Sequence, residues 1–231
     1  DLDFEYSDNI YIERTYAWAL VKNHKVTQAR DVYEAVLDKN PEDYGAKLGL
    51  AECTFLEGHL EDAKEQVEAV LEDRVQDTDC LILLDKINDI LVKKYTEQLA
   101  KETDRDVTIK LGWCYYQQKE FEKGIALMDG IEDGEDYDYV NLRCRLYLAN
   151  ENYDKAYPYA KKWLSIIEDS VDDGSEEMRK RKNRLSLAHF SIGVCIWEVN
   201  FKPDNEKRKE AYEDTIRYIN MAIEEEENTL V

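Results

Sequence analysis

The sequence predicts an all-α protein built as a stack of antiparallel helix pairs. Three observations carry that prediction. The first is composition. Of 231 residues only 9 are Gly and 3 are Pro, so helix breakers are scarce. At 43% hydrophobic and 36% charged, the chain has enough apolar side chains for a core and enough charge for a solvated surface. The second is periodicity, because apolar residues recur at helical spacing. The third is repetition: residues 11–43 and 45–77 superpose at a shift of 34.

The first two helix pairs follow from that superposition. Ala17 falls on Ala51, Val26 on Leu60 and Ala29 on Ala63. Tyr33, Val36 and Leu37 fall on Val67, Val70 and Leu71. A polar turn divides each unit, Lys22-Asn23-His24-Lys25 in one and Glu57-Gly58-His59 in the other. Pro41 closes the first pair, where a helix cannot continue.

Next comes an irregular segment, 79–101. Leu84, Ile87, Leu91, Tyr95 and Leu99 form one helical stripe with no turn signal inside, which predicts a single long helix. A third pair is expected over 105–136, with Phe121 after its turn, Gly124 in its second helix and an acidic loop at Glu132–Tyr139. A fourth pair is expected over 137–168, with Tyr153 after the turn Ala149–Asn152 and Ala156 in the second helix. Pro158 predicts a late start or a kink in that helix. A charged linker is expected over 168–177, and a last helix pair over 178–226 with a long turn at Asn200–Glu206.

A period of 34 with small residues at the helix crossings resembles the tetratricopeptide repeat. The clearest first helix is Leu111-Gly112-Trp113-Cys114-Tyr115; Gly124 and Asp136 depart from the family pattern, which has Ala and Pro there. The resemblance covers most of residues 11–224 in degenerate repeats, as a single repeat domain. It implies a right-handed superhelical solenoid whose first helices line a concave groove. Its groove positions map to Tyr11, Arg14, Trp18 and Lys22, then Glu52 and Phe55, then Lys110, Trp113 and Tyr116, then Asn141 and Arg145, and last Trp197. These hold four cations and one acid, with aromatic rings interleaved. A branch of the family clamps acidic chaperone tails with a Lys, Asn and Arg set. Trp18 and Gly49 stand where its Asn residues would be, so that role does not carry over residue by residue.

Other chemistry finds little support. Lys+Arg is 31 against Asp+Glu 52, a net charge of −21, which excludes a general nucleic-acid binder and disfavours an anionic membrane surface. The run Arg179-Lys180-Arg181-Lys182 is short and reads as the charged start of the last pair. No nucleotide-binding or hydrolase motif occurs, and no cofactor or metal is expected. His24 and His59 read as solvated turn residues and His189 as a packing residue. Cys53, Cys80, Cys114, Cys144 and Cys195 are odd in number, lack close pairs and lie in apolar stretches, as reduced packing residues of a cytoplasmic protein would. The chain starts at Asp, and we expect a fragment of a longer protein.

The expected function is non-enzymatic: a scaffold holding a protein or peptide, with an acidic segment as the candidate ligand, in the groove. Two alternatives stand beside it, a regulatory or co-chaperone arm of a larger protein and a structural assembly module. The partner and the oligomeric state are not legible in the sequence.

Overall fold

The computed structural model describes residues 9–74, 76–170, 177–200 and 208–227. The linker expected over 168–177 falls mainly outside these residues, as does the turn expected at Asn200–Glu206. The described residues form α-helices only: α1 (Ile10–Lys22), α2 (Val26–Lys39), α3 (Tyr44–Leu56), α4 (Leu60–Asp73), α5 (Thr78–Leu99), α6 (Arg105–Gln117), α7 (Phe121–Asp129), α8 (Tyr137–Ala149), α9 (Tyr153–Asp169), α10 (Glu177–Asn200) and α11 (Arg208–Glu227). Among the described residues no helix is long and apolar enough to cross a membrane. The chain divides into two compact units, 1–94 and 95–231, and the division falls inside α5.

The pairs α1–α2, α3–α4, α6–α7 and α8–α9 start and turn by one rule. The first helices are capped by short acidic or amide side chains. Asn9 accepts from the Tyr11 amide, Asp43 from Ala46, Asp77 from Cys80, Asp104 from Val107 and Asp136 from Tyr139. Such a cap contributes about 1 kcal/mol. The second helices α2, α4, α7 and α9 have no side-chain cap. They leave instead from a tight turn whose second or third residue is left-handed: His24 (φ 59°), Gly58 (φ 88°), Lys119 (φ 61°) and Glu151 (φ 55°). In each turn the next amide bonds back over the helix end, as Lys25 N to Leu20 O at 2.9 Å and Glu120 N to Tyr115 O at 2.8 Å.

Two expectations change. The loop expected at Glu132–Tyr139 is shorter, because Asp136 caps α8 and Tyr137 already begins it. Nor does α9 start late: it begins at Tyr153 and runs through Pro158. Pro158 is exposed, so the carbonyl it leaves unbonded lies on the solvent side.

In the first unit the core gathers Ala17, Leu20, Val21, Ala29, Val32, Tyr33, Val36, Ala46 and Cys53. Gly49 fits α3 under the Tyr33 ring; a Cβ there would stand 2.3 Å from Tyr33 Cζ. Glu13 is fully buried and held by Lys39 Nζ at 2.6 Å. Along α5 the expected stripe is the buried one, with Leu84, Ile87 and Leu91 inside.

In the second unit the largest buried side chain is Trp163, packed with Met128, Tyr139, Leu142, Leu146, Ile167 and Ile192. Gly112 meets Leu142, and Gly124 meets Leu146, where a Cβ would come within 2.6 Å. That explains the departure from Ala at position 124: the bulky Leu146 of α8 takes the space.

Candidate functional site

The repeat register assigns equivalent outer positions to the first helices of both units, and the structure gives them different surroundings. In the first unit, Tyr11 and Trp18 are exposed, Trp18 by 54%. Arg14 donates to both oxygens of Asp43 at 3.1 and 3.2 Å, so it ties α1 to the cap of α3. Lys22 pairs with Glu52 at 3.0 Å. Each cation also lies over a ring, Arg14 over Tyr11 at 5.2 Å and Lys22 over Trp18 at 5.6 Å. Phe55 is half-buried. Both cations predicted for this face thus already hold a carboxylate.

The second unit is arranged otherwise. Lys110 is exposed on α6, and among the described residues it has no carboxylate in ion-pair range. Trp113 and Tyr116 meet edge to face at 5.8 Å, and Tyr116 leans on Phe121 at 5.9 Å. On α8 Asn141 is buried and accepts from Arg145 Nε at 2.8 Å, while the Arg145 guanidinium lies 5.5 Å over Trp163. Arg145 is thus aimed by a neutral amide and an aromatic face, with no carboxylate among the described residues to cancel it. The acids nearest in sequence on these two helices, Asp106 and Asp138, sit in the first turns.

The last first-helix, α10, adds what sequence reasoning missed. Leu187, Phe190, Val194 and Trp197 follow i, i+3, i+7, i+10 spacing along one face. Leu187, Phe190 and Trp197 are exposed, Phe190 by 53%, and Val194 is half-buried. The repeat pattern alone identifies only Trp197. Gly193 supplies the signal for the rest, since it holds the same place as Gly112, and counting from it puts Val194 beside the equivalents Trp113 and Arg145. Helix α10 lies next to α8: Arg184 sits 5.2 Å over the Tyr137 ring.

A second cluster was also missed, and it is internal. Arg143 of α8 donates to Asp129 and lies 5.3 to 5.6 Å over Tyr139, Tyr147 and Tyr159. Tyr139 and Tyr159 donate to Asp133 at 2.6 and 2.9 Å. The Arg143 hydrogen bond holds the Asp129 carboxyl below its usual range, and the Tyr139 hydroxyl does the same for Asp133. Burial opposes the Arg143 charge, but the Asp129 bond and the tyrosines leave its pKa raised. This cage ties α7, α8 and α9 together and is filled by the protein's own cation.

All five cysteines are buried and free. Burial pushes Cys53 up to about 11 and Cys80, Cys144 and Cys195 up to about 12, so they stay protonated and unreactive near neutral pH. His24 and His59 are exposed in their turns. His189 is buried against Tyr218, yet neither ring nitrogen has a hydrogen-bond partner among the described residues, and burial lowers its pKa. Among the described residues no group of three or more His, Cys, Asp or Glu side chains is placed to hold a metal ion.

The tetratricopeptide repeat family model matches residues 20–87. Residues 20–87 thus match tetratricopeptide repeats, and the fold of the described residues is all-α. No curated relative matches it. Solved structures similar to it include MamA of strain MSR-1, 16% identical, covering 95% of this chain and 98% of that one, with a TM-score of 0.33. A tetratricopeptide repeat protein from Parabacteroides merdae is 13% identical over 93% of this chain and 98% of its own, with a TM-score of 0.37. A thermophilic protein of the same kind from Thermus thermophilus is 13% identical over 93% and 100%, with a TM-score of 0.35. None of these likenesses bears on what this chain binds.

Proposed function

We propose that the chain is a non-enzymatic scaffold that holds a peptide segment on the face formed by α6, α8 and α10. One observation carries the reading: Leu187, Phe190, Val194 and Trp197 expose an apolar stripe at the outward positions of α10, against a chain of net charge −21. Large exposed apolar patches on a soluble surface mark interaction sites, and aromatic anchors there carry most of the binding energy. Lys110 and Arg145 are cations of the two preceding first helices that hold no carboxylate among the described residues. The segment recognised therefore combines large apolar side chains with carboxylates.

The residues proposed on the first unit contribute less. Arg14 and Lys22 are compensated, and an incoming carboxylate would have to displace Asp43 or Glu52. Peptides selected on the chain from a random display library provide the test. Apolar-acidic sequences should dominate, and their affinity should fall with Phe190→Glu/Trp197→Glu. Selection of basic sequences, or affinity indifferent to these changes, would overturn the assignment.

A further inference from the structure

The first unit carries a cavity at a place where the second unit is filled. Helices α8 and α9 repeat the bounds of α3 and α4 at a shift of 93, Tyr137 for Tyr44 and Tyr153 for Leu60. The shift also keeps the packing: Ala63 and Val67 of α4 are fully buried, and so are their counterparts Ala156 and Ala160 of α9. Side-chain bulk is not kept. Leu50 stands for Arg143, Gln66 for Tyr159 and Val70 for Trp163. In the second unit the Arg143 guanidinium lies 5.3 Å over the Tyr159 ring, and Trp163 is the largest fully buried side chain. In the first unit the smaller trio lines an open cavity of about 370 Å³. Protein interiors pack closely, so a gap that the same helical frame fills elsewhere leaves room for a small ligand.

The polar groups of the cavity set the chemistry of that ligand. Arg74, the C-cap of α4, lies 4.0 Å over the Tyr44 ring. The Tyr44 hydroxyl in turn donates to Asp77 at 2.6 Å. The guanidinium is therefore placed by a ring that is itself held, and among the described residues it makes no ion pair. Lys47 is the second cation, and it pairs at 2.8 Å with Glu42, whose side chain is 82% exposed. The lining thus holds two cations and one acid, in a chain of net charge −21. Apart from Tyr44 and Gln66 the rest of it, Leu37, Leu50, Ala69 and Val70, is apolar.

We propose that this cavity binds a small carboxylic acid with an apolar body the size of an indole ring. The body lies on Leu37, Leu50 and Val70, in the volume that Tyr159 and Trp163 take in the second unit. The carboxylate accepts charge-assisted hydrogen bonds from Arg74. The site uses residues of the first unit only and none of the peptide face proposed above, so it is independent of that reading.

Heteronuclear NMR titration tests this with probes that share one ring system: indole acetate, tryptophol and tryptamine, which end in a carboxylate, a hydroxyl and an ammonium. Indole acetate should shift the amides around Leu50 and Val70 and saturate. Tryptophol should bind at least about tenfold more weakly, because it forfeits the hydrogen bonds to a charged group, and tryptamine more weakly still. Arg74→Leu should remove the preference for the acid over the alcohol. Val70→Trp, which restores the ring of the second unit, should abolish binding of indole acetate with helical content unchanged by circular dichroism. Should Val70→Trp lose helicity, Gln66→Trp at an exposed position replaces it. Absence of saturable shifts on α3 and α4 with indole acetate would overturn the proposal. So would equal affinity for acid and alcohol, or a preference for the acid that survives Arg74→Leu.

Discussion

The first-helix faces of the two units share a register and differ in how their charges are paired. On α1 and α3 the cations belong to the architecture: Arg14 grips the cap of α3 and Lys22 grips Glu52. On α6 and α8 the outward cations Lys110 and Arg145 hold no carboxylate among the described residues, Arg145 being braced by a neutral amide, and α10 exposes an apolar stripe. Repeat position therefore decides where a side chain points, and its neighbours decide whether it is available. A groove read from position alone counts both faces equally.

The contrast can be broken by moving the structural cation. In the second unit the architectural role falls to Arg143, which is buried. Arg143→Leu should cost about 3 kcal/mol, because it leaves Asp129 and the tyrosine hydroxyls without their cation. Arg14→Leu breaks a half-exposed pair in the first unit and should cost about 1 kcal/mol. Urea unfolding of the two variants checks the order; a larger loss from Arg14→Leu would reverse the roles assigned here.

The turns sharpen the comparison at a smaller scale. The first unit places Gly at one left-handed turn position, Gly58, while the second places Lys119 and Glu151 at its equivalents. Gly58→Ala should lower stability by about 1 kcal/mol, and Lys119→Gly should raise it by about 0.5 kcal/mol. Thermal midpoints that move the other way would show that these turns are not strained as their φ values imply.

The smallest effect concerns His189. Burial lowers its folded pKa below the unfolded value of about 6.5. The unfolded chain then takes up the proton more readily, so stability is lost as pH falls below about 6.5. His189→Leu removes that loss, and its advantage over the wild type in thermal midpoint should widen from about pH 7.5 to about pH 5.5. A constant difference would mean that His189 accepts a proton in place.

Much of the fold was legible because it is periodic. The shift of 34 placed α1 to α4, and the stripe from Leu84 to Leu99 gave α5 without a break. Asp136 departs from the family's Pro because it is a cap, a role that Asp43 and Asp77 already fill one repeat apart. The site was less legible, for two physical reasons. Pairing is a tertiary property: nothing in the sequence sets Arg14 against Asp43, 29 residues on, or gives Arg145 an amide in place of a carboxylate. Aromatic residues at helical spacing also read alike whether buried or exposed. Tyr147 is buried in the cage around Arg143, and Phe190 stands in solvent, yet both lie on first helices among apolar neighbours.

The central claim is that available groups, and not repeat positions, make the binding face. Isothermal titration of a library-selected peptide against Phe190→Glu/Trp197→Glu and against Trp18→Glu tests it most directly. All three rings are comparably exposed on the same kind of helix. The account predicts that the double change weakens binding by roughly 100-fold or more, as loss of central aromatic anchors does, while Trp18→Glu changes it less than about twofold. Equal losses from both variants, or a loss from Trp18→Glu alone, would contradict it.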